Sequence, residues 1–251
     1  MTTTLALPLS NIGPNWYAAV MGTGIVATAA VTLPVQGRLM HELAVTVWLL
    51  AVLVLVAVTT VTAAHWRLHP RVARSHVRHP VMGNFYGAAA MGLLTVGTGA
   101  VLLGRDVIGL HAALVVGWCC WIVGTAGGVA CAVVVPRLTY PGGTPFAGWL
   151  MPVVPPMVSA AGGAALIAHM APGAARQTML ATCWVLFAGA LVAALVVTVR
   201  VLRHVATHGP GPAALVPTLW IVLGPLGQRR TPSAPKDRVA GSRWATGSSR
   251  G

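Results

Sequence analysis

Seven long apolar stretches divide the sequence, and their lengths restrict the chain to a few kinds of fold. They span residues 16–33, 43–64, 81–103, 107–135, 147–170, 177–199 and 213–226. An α-helix needs about 20 residues to cross the roughly 30 Å hydrocarbon core of a membrane. The first six stretches reach or approach this length, whereas the seventh, with 14 residues, would extend only about 21 Å. The sequence therefore predicts six or seven membrane-spanning segments.

Composition and residue pattern indicate that these segments are helices surrounded by lipid. Charged residues make up 8% of the chain and hydrophobic residues 56%, whereas roughly a quarter of the residues of a soluble domain are charged. Backbone groups must be paired in lipid, which leaves helices or a closed barrel. Barrel strands alternate in character, and the run LLAVLV at residues 49–54 does not. We predict an all-α polytopic membrane protein.

The basic residues predict the orientation of the chain. A net charge of +13 would suit a nucleic-acid partner, but the cations lie in short loops and in residues 229–251, so no such partner is expected. The loops after the second, fourth and sixth stretches contain Arg67, Arg71, Arg74, Arg78, Arg137, Arg200 and Arg203. Those after the first, third and fifth contain Arg38, Arg105 and Arg176. Arginine-rich loops remain cytoplasmic, which predicts a multi-pass protein of the cell membrane with a cytoplasmic amino terminus.

The amino-terminal residues predict no signal peptide, and the cysteines predict no disulfide. The first 15 residues carry no charged side chain, so a signal peptide is not expected and the first stretch should remain as a helix. The four cysteines lie inside apolar stretches without zinc or redox spacing, and we interpret them as small apolar fillers.

Odd and even stretches differ in composition, and this difference predicts the candidate site. The second and sixth are dominated by aliphatic residues, whereas the first, third and fifth carry glycine, proline, hydroxyl and amide residues. The fourth is an exception among the even stretches, because it contains Gly117, Gly124, Gly127 and Gly128. The candidates on the odd stretches are Gly22, Thr23, Gly24, Asn84, Gly87, Pro152, Pro155, Pro156 and Ser159. Small residues on one face also serve close helix packing. Two interpretations therefore stay open: close packing, or a polar path lined by the odd helices.

The residue types limit the chemistry of such a path. Prolines interrupt helices, and a broken helix exposes N–H groups that suit anions. The interiors of the stretches contain no acidic or basic side chain, so proton coupling through carboxylates is not expected. Neither a catalytic triad nor a phosphate-binding loop can be assembled. The sequence predicts no enzyme.

Histidines raise two further possibilities. Residues 65–79 hold four arginines together with His65, His69, His76 and His79. A metal site is conceivable, but a basic collar that contacts acidic lipid and attracts anions is the favoured interpretation. His111 and His169 would have to pair across helices to hold haem, and their positions do not indicate this. We expect no metal and no cofactor.

Four motifs resemble a known family. They are NWYAAVMGTGI at 15–25, His79-Pro80, WLMPVVPP at 149–156 and LVPTLWIVLGPLGQ at 215–228. Together they resemble the tellurite-resistance/dicarboxylate transporter family, which includes malate transporters, sulfite pumps and slow anion channels. The resemblance implies ten helices in five hairpins around a central pore, and a trimer. It also implies pore positions for Pro217, Gly224 and Pro225.

The carboxyl-terminal part departs from that family. About three more helices are expected after Gln228, but residues 229–251 are polar and basic. We interpret 1–228 as a transmembrane domain and 229–251 as a disordered tail, and we expect a truncated or shifted reading frame near Gln228. The phenylalanine that plugs the family's pore belongs to a later helix, so no residue here takes that role.

Two functional hypotheses follow from the residues and the resemblance. The first is a channel or transporter for small anions such as C4-dicarboxylates, sulfite, tellurite or halide, with the lipid bilayer as its other partner. The alternative is a truncated membrane fragment that transports nothing and has at most a structural role. A haem-bearing redox protein is a weaker third possibility.

Overall fold

The computed structural model describes residues 12–33 and 37–209, and all regular structure in these ranges is helical. Short 3-10 turns at Pro14–Trp16, Met82–Phe85 and Ala147–Leu150 precede three of the helices. The seventh stretch with Pro217, Gly224 and Pro225, and the tail 229–251, lie outside the described residues. The helices are α1 (Tyr17–Thr32), α2 (Arg38–Leu68), α3 (Pro70–Arg78), α4 (Tyr86–Leu103), α5 (Arg105–Ile108), α6 (Leu110–Thr139), α7 (Pro155–Ile167) and α8 (Ala174–His208).

Each of the first six apolar stretches coincides with a helix, which confirms the all-α fold. Helices α2, α6, α8 and the segment Met82–Leu103 are long and apolar enough to cross a membrane. Helices α1 and α7 are shorter, with 16 and 13 residues. The segment 65–79, which we expected to be a loop, is instead the last turn of α2 followed by α3. Pro70 occupies the first position of α3, where its missing N–H would have no partner within the helix and its fixed φ suits a helix start.

Helices that follow one another along the chain pack side by side. The pairs are α1 with α2, α4 with α6, and α7 with α8, joined by connections that are short or hold only the four-residue α5. Helix α4 lies at the centre, because it also contacts α1, α2 and α7. The described part thus contains three of the hairpins that the resemblance implies.

Burial separates the central helix from the outer ones. We compared the most apolar 18 consecutive residues of each long helix. Of these residues, 72% are buried in Met82–Leu103, but only 17% in α2, 17% in α6 and 22% in α8. The outer helices expose large apolar side chains such as Leu53, Val123 and Val185. Contiguous apolar surface of this extent needs an apolar surrounding. Lipid is therefore the solvent of the outer helices.

Two tryptophans, the buried Trp48 and the half-buried Trp121, connect the helices through their indole N–H groups. The Nε1 of Trp48 in α2 donates to the Val96 carbonyl of α4 at 3.1 Å, and the Nε1 of Trp121 in α6 donates to the Ser159 carbonyl of α7 at 2.8 Å. An unpaired N–H is costly in lipid, where no water replaces the partner. These two bonds therefore fix α4 and α7 relative to the outer helices.

Candidate functional site

Glycines allow α4 to approach its neighbours closely. We call the contact zone of α4 with α1, α6 and α7 the α4 seam. A Cβ on Gly24 of α1 would lie 2.8 Å from Thr95 Oγ1, and a Cβ on Gly162 of α7 would lie 2.8 Å from Thr98 Oγ1. Gly24 and Gly162 therefore bring two neighbouring helices against hydroxyl groups of α4, at the centre of the bundle.

The hydroxyls of the α4 seam bond to their own helices. Thr95 Oγ1 donates to the Gly92 carbonyl at 2.9 Å, Thr98 Oγ1 donates to the Leu94 carbonyl at 2.8 Å, and Ser159 Oγ donates to Pro155 at 3.1 Å. A hydroxyl can rotate and offer its hydrogen to another acceptor. In this conformation, however, none of these three donors points to an open site.

The proline-rich segment 151–158 breaks the chain between a 3-10 turn and α7. We expected free N–H groups at such a break, but the structure shows none in this segment. Pro152, Pro155 and Pro156 have no N–H, and the remaining N–H groups bond to the carbonyls of Gly148, Leu150 and Val154. The two prolines at the start of α7 instead remove the donors that would pair with the carbonyls of residues 151 and 152. The segment therefore presents oxygen acceptors rather than N–H donors.

Gly87 is the point where α4 contacts this segment. A Cβ on Gly87 would lie only 2.0 Å from the Met151 carbonyl oxygen and 3.0 Å from the Cα of Pro152. The Cα hydrogens of a glycine can contact a carbonyl oxygen that no N–H reaches. The predicted candidates Gly87 and Pro152 are thus brought into direct contact.

Asn84 connects the beginning of α4 to the end of α6. Its side chain is fully buried, and its Nδ2 donates to the Pro80 carbonyl at 2.6 Å. Its Oδ1 lies 3.2 Å from Thr139 Oγ1, which shares its one hydrogen between Asn84 and the Val135 carbonyl at 2.9 Å. Both polar ends of this candidate are therefore used within the protein.

Replacing Thr139 with valine should reduce the free energy of unfolding by about 1 kcal/mol, because Asn84 Oδ1 would stay buried without its side-chain donor. SDS titration of the detergent-solubilised protein measures the effect. Thr178→Val is the matched control, since Thr178 is exposed on α8 and bonds only to its own helix. Equal losses in the two variants would contradict the role given to Asn84.

The remaining candidates lie in different surroundings. Gly22 is exposed, with no atom within 4 Å of a Cβ built on it, and Thr23 bonds to the Ala19 carbonyl of its own helix. Gly22 therefore lies on the outer side of α1, away from Gly24, whereas Thr23 is half-buried. Pro155 and Pro156 are buried at the start of α7. The α4 seam thus includes Gly24, Gly87, Pro152 and Ser159 but not Gly22.

A narrow crevice lies between α4, α6 and α7 along the α4 seam. Within the described ranges it has no room for a water molecule. Its polar groups are the Thr98 hydroxyl and the Trp121 indole, both already bonded. The lining residues are Leu94, Gly97, Thr98, Val101, Gly117, Trp121, Gly162 and Leu166. The described part of the seam is closed in this conformation.

Aromatic residues that the sequence did not single out support the seam. Trp121 bonds to α7, and Tyr140 stacks on Trp149 with ring centroids 4.1 Å apart. Tyr140 also donates its hydroxyl hydrogen to the Trp149 carbonyl. An indole N–H inside an apolar stretch is a usable signal, because it needs a partner. The stacked pair has no comparable signal in the sequence.

The two ends of the bundle carry different charge. The seven arginines predicted to be cytoplasmic are all exposed at one end of the bundle. They lie at the carboxyl-terminal ends of α2, α6 and α8 and along α3. The acidic residues Glu42 and Asp106 belong to the other end, where they pair with Arg38 and His41. Among the described residues, no three His, Cys, Asp or Glu side chains are arranged to hold a metal ion.

Histidines cluster where α2 meets α3. The rings of His65 and His76 stack with centroids 5.6 Å apart, and the ring of His69 lies 5.9 Å from that of His65. Partial burial lowers the pKa of His76, and the nearby His65 and His79 lower it further. The folded protein therefore binds a proton at His76 less readily than the unfolded chain does.

The stability should accordingly fall as the pH decreases. A His pKa below its unfolded value stabilises the fold fully above about pH 6.5, and this contribution is lost as the pH falls through the folded pKa. We expect a lower Tm at pH 5.5 than at pH 7.5, and a smaller difference for His76→Gln. His169→Gln, at an exposed position after α7, should keep the wild-type difference. A wild-type profile in His76→Gln would contradict the assignment.

Comparison with known proteins identifies the family. The family model for the voltage-dependent anion channel, SLAC1, matches residues 11–231. The chain belongs to this family. The match confirms the resemblance found in the sequence motifs. The SLAC1 family is one of channels and transporters.

Curated relatives cover most of the chain. The sulfite efflux pump SSU1 of Arthroderma benhamiae is 29% identical over 227 residues, and that of Trichophyton rubrum is 28% identical. Each alignment covers 88% of this chain and 60% of the pump. An uncharacterized transporter of Methanocaldococcus jannaschii is 26% identical over 224 residues, which are 87% of this chain and 62% of that protein. The chain thus spans about three fifths of the length of these relatives.

Proposed function

We propose that this chain provides a path along which small anions cross a lipid membrane. The observation that carries the proposal is its membership of the SLAC1 anion-channel family over residues 11–231. The arrangement of the helices supports it, because a buried central helix lies inside a surface of exposed apolar helices. Buried helices shielded from lipid are where a polar path can exist.

The α4 seam is the proposed path, and it differs from a proton relay. Helices α4 and α7 contain no Asp, Glu, Lys or Arg, so no side-chain charge holds an anion tightly or exchanges a proton with it. Rotating hydroxyls of Thr95, Thr98 and Ser159 would supply the hydrogen-bond donors. Weak, repeated contacts of this kind favour fast passage over tight binding.

Transport requires the seam to open. Thr98 and Gly162 lie at its closed crevice, so a small displacement of α7 from α4 would separate them. The released hydroxyl could then turn away from the Leu94 carbonyl toward a passing anion. The proposed conducting state therefore differs from the described one mainly in the distance between α4 and α7.

Sulfite is the first substrate to test, because curated relatives are named sulfite efflux pumps. C4-dicarboxylates, tellurite and halides remain candidates within the same class of small anions. Seven exposed arginines at one end, against three at the other, support a cytoplasmic basic end and a cytoplasmic amino terminus in the cell membrane. A homotrimer is proposed from the family resemblance.

Liposomes loaded with sulfite and reconstituted with the full chain should release it faster than protein-free liposomes. Gluconate-loaded liposomes test selectivity, because the larger anion should be released more slowly. Helical content and a cooperative Tm of the same preparation establish that the protein is folded. Release at the protein-free rate from a folded preparation would contradict the proposal and favour the non-transporting alternative.

A further inference from the structure

Helix α3 presents a row of arginines away from the bundle. Arg71, Arg74 and Arg78 are three and four residues apart, so they share one face of the helix, and all are exposed. Ala73 is fully buried on the opposite face, where α3 contacts α2, α6 and the 3-10 turn before α4. The helix therefore lies against the end of the bundle with its cationic face outward.

No carboxylate compensates these charges in the described part of the chain. Glu42 and Asp106, its two acidic side chains, belong to the opposite end. Glu42 precedes the end of α2 by 26 residues, which is about 40 Å along a helix. None of the three arginines makes an ion pair within the described ranges. Within the described ranges these three charges therefore have no carboxylate partner.

Exposed apolar side chains close to the arginines in the sequence indicate where α3 lies relative to the lipid headgroups. Trp66 and Leu68 at the end of α2 and Val72 in α3 are 37%, 62% and 38% exposed. Tryptophan favours the boundary between headgroups and acyl chains. A short helix with apolar residues beside a cationic face lies in that boundary, parallel to the membrane.

We propose that α3 is an interfacial helix whose arginines Arg71, Arg74 and Arg78 bind the headgroups of acidic phospholipids. Arginine suits this ligand because its planar guanidinium forms paired hydrogen bonds with phosphate oxygens. Bound lipid would hold α3 at the membrane surface, and α3 in turn contacts the turn that begins α4. The site lies outside the α4 seam and does not depend on the proposed transport.

The test uses the full chain in detergent and short-chain phosphatidylglycerol as the probe. We expect phosphatidylglycerol to bind at least tenfold more tightly than phosphatidylcholine of equal chain length. Replacing Arg71, Arg74 and Arg78 together with glutamine should weaken phosphatidylglycerol binding by at least tenfold, since each cation near an acidic surface contributes roughly fivefold. Raising NaCl from 0.05 to 0.5 M should weaken wild-type binding.

A variant with the same change in net charge provides the matched control. Arg38, Arg105 and Arg176 belong to the other end of the bundle, and replacing all three with glutamine should leave phosphatidylglycerol binding within twofold of wild type. Equal weakening in both triple variants would overturn the proposal. So would wild-type binding that is insensitive to salt, or displacement of the lipid by inorganic phosphate at equal concentration. If the first triple variant does not fold, the single variants Arg71→Gln, Arg74→Gln and Arg78→Gln test the same face, and each should weaken phosphatidylglycerol binding by roughly fivefold.

Discussion

Replacing Gly87 with alanine should reduce the free energy of unfolding by about 3 kcal/mol or more. The new methyl group would lie 2.0 Å from the Met151 carbonyl oxygen, a distance that no rotamer change can relieve because both atoms are fixed by the backbone. Overpacking of a close contact costs roughly 1–3 kcal/mol even where side chains can move. Helix α4 must therefore separate from the proline-rich segment. SDS titration measures the loss of stability.

Gly22→Ala is the matched control for this substitution. Both glycines are in helices, but nothing lies within 4 Å of a Cβ on Gly22. Alanine is the better helix former by about 1 kcal/mol, so this variant should be as stable as wild type or slightly more stable. If the two variants lost stability equally, the contact between α4 and the proline-rich segment would not be the cause.

Replacing Trp149 with alanine should have the second largest effect, a loss of roughly 2 kcal/mol. Its side chain is buried and stacks on Tyr140 at 4.1 Å. Truncating a buried aromatic residue costs about 3–5 kcal/mol in water-soluble proteins. The smaller value is expected here because lipid provides less hydrophobic driving force than water does. The lost stacking should also loosen the proline-rich segment that follows.

Trp184→Ala provides the control for Trp149. Trp184 is 61% exposed on the outer surface of α8, so its removal should leave the Tm in detergent almost unchanged. Tyr140→Phe separates stacking from hydrogen bonding, since it removes only the bond to the Trp149 carbonyl and should cost about 1 kcal/mol. A larger loss in Trp184→Ala than in Trp149→Ala would contradict the assignment of the buried pair.

The helices and their burial were largely predictable from the sequence. Apolar runs of about 20 residues are unfavourable in water, because their side chains must be removed from it. Each of the first six runs is a helix. The aliphatic α2 and the glycine-rich α4 also differ in burial: α4 is the more buried of the two, because small residues permit close approach on all sides. Helix α1 is less enclosed, with buried residues mainly on one side.

The details of the candidate site were less predictable, for physical reasons. A proline in the sequence shows where a helix is interrupted. It does not show whether the N–H groups of the neighbouring residues find other acceptors, and in the segment 151–158 all of them do. Helix α3 was missed because its nine residues carry four cationic or histidine side chains and no long apolar run. Gly22 and Gly24 looked equivalent, since only the neighbouring helix decides which one is in contact.

The measurement that tests the proposed path most directly is the chemical blocking of sulfite release. In a background with Cys119, Cys120, Cys131 and Cys183 replaced by alanine, Thr98→Cys places a thiol at the crevice between α4 and α7. Val123→Cys places one on the exposed surface of α6. We expect iodoacetate, applied to the protein and removed before the liposomes are loaded with sulfite, to stop sulfite release from liposomes bearing the first variant and to leave the second unaffected. Undiminished release after the thiol at position 98 has reacted, or equal inhibition of both variants, would show that anions do not pass along the α4 seam.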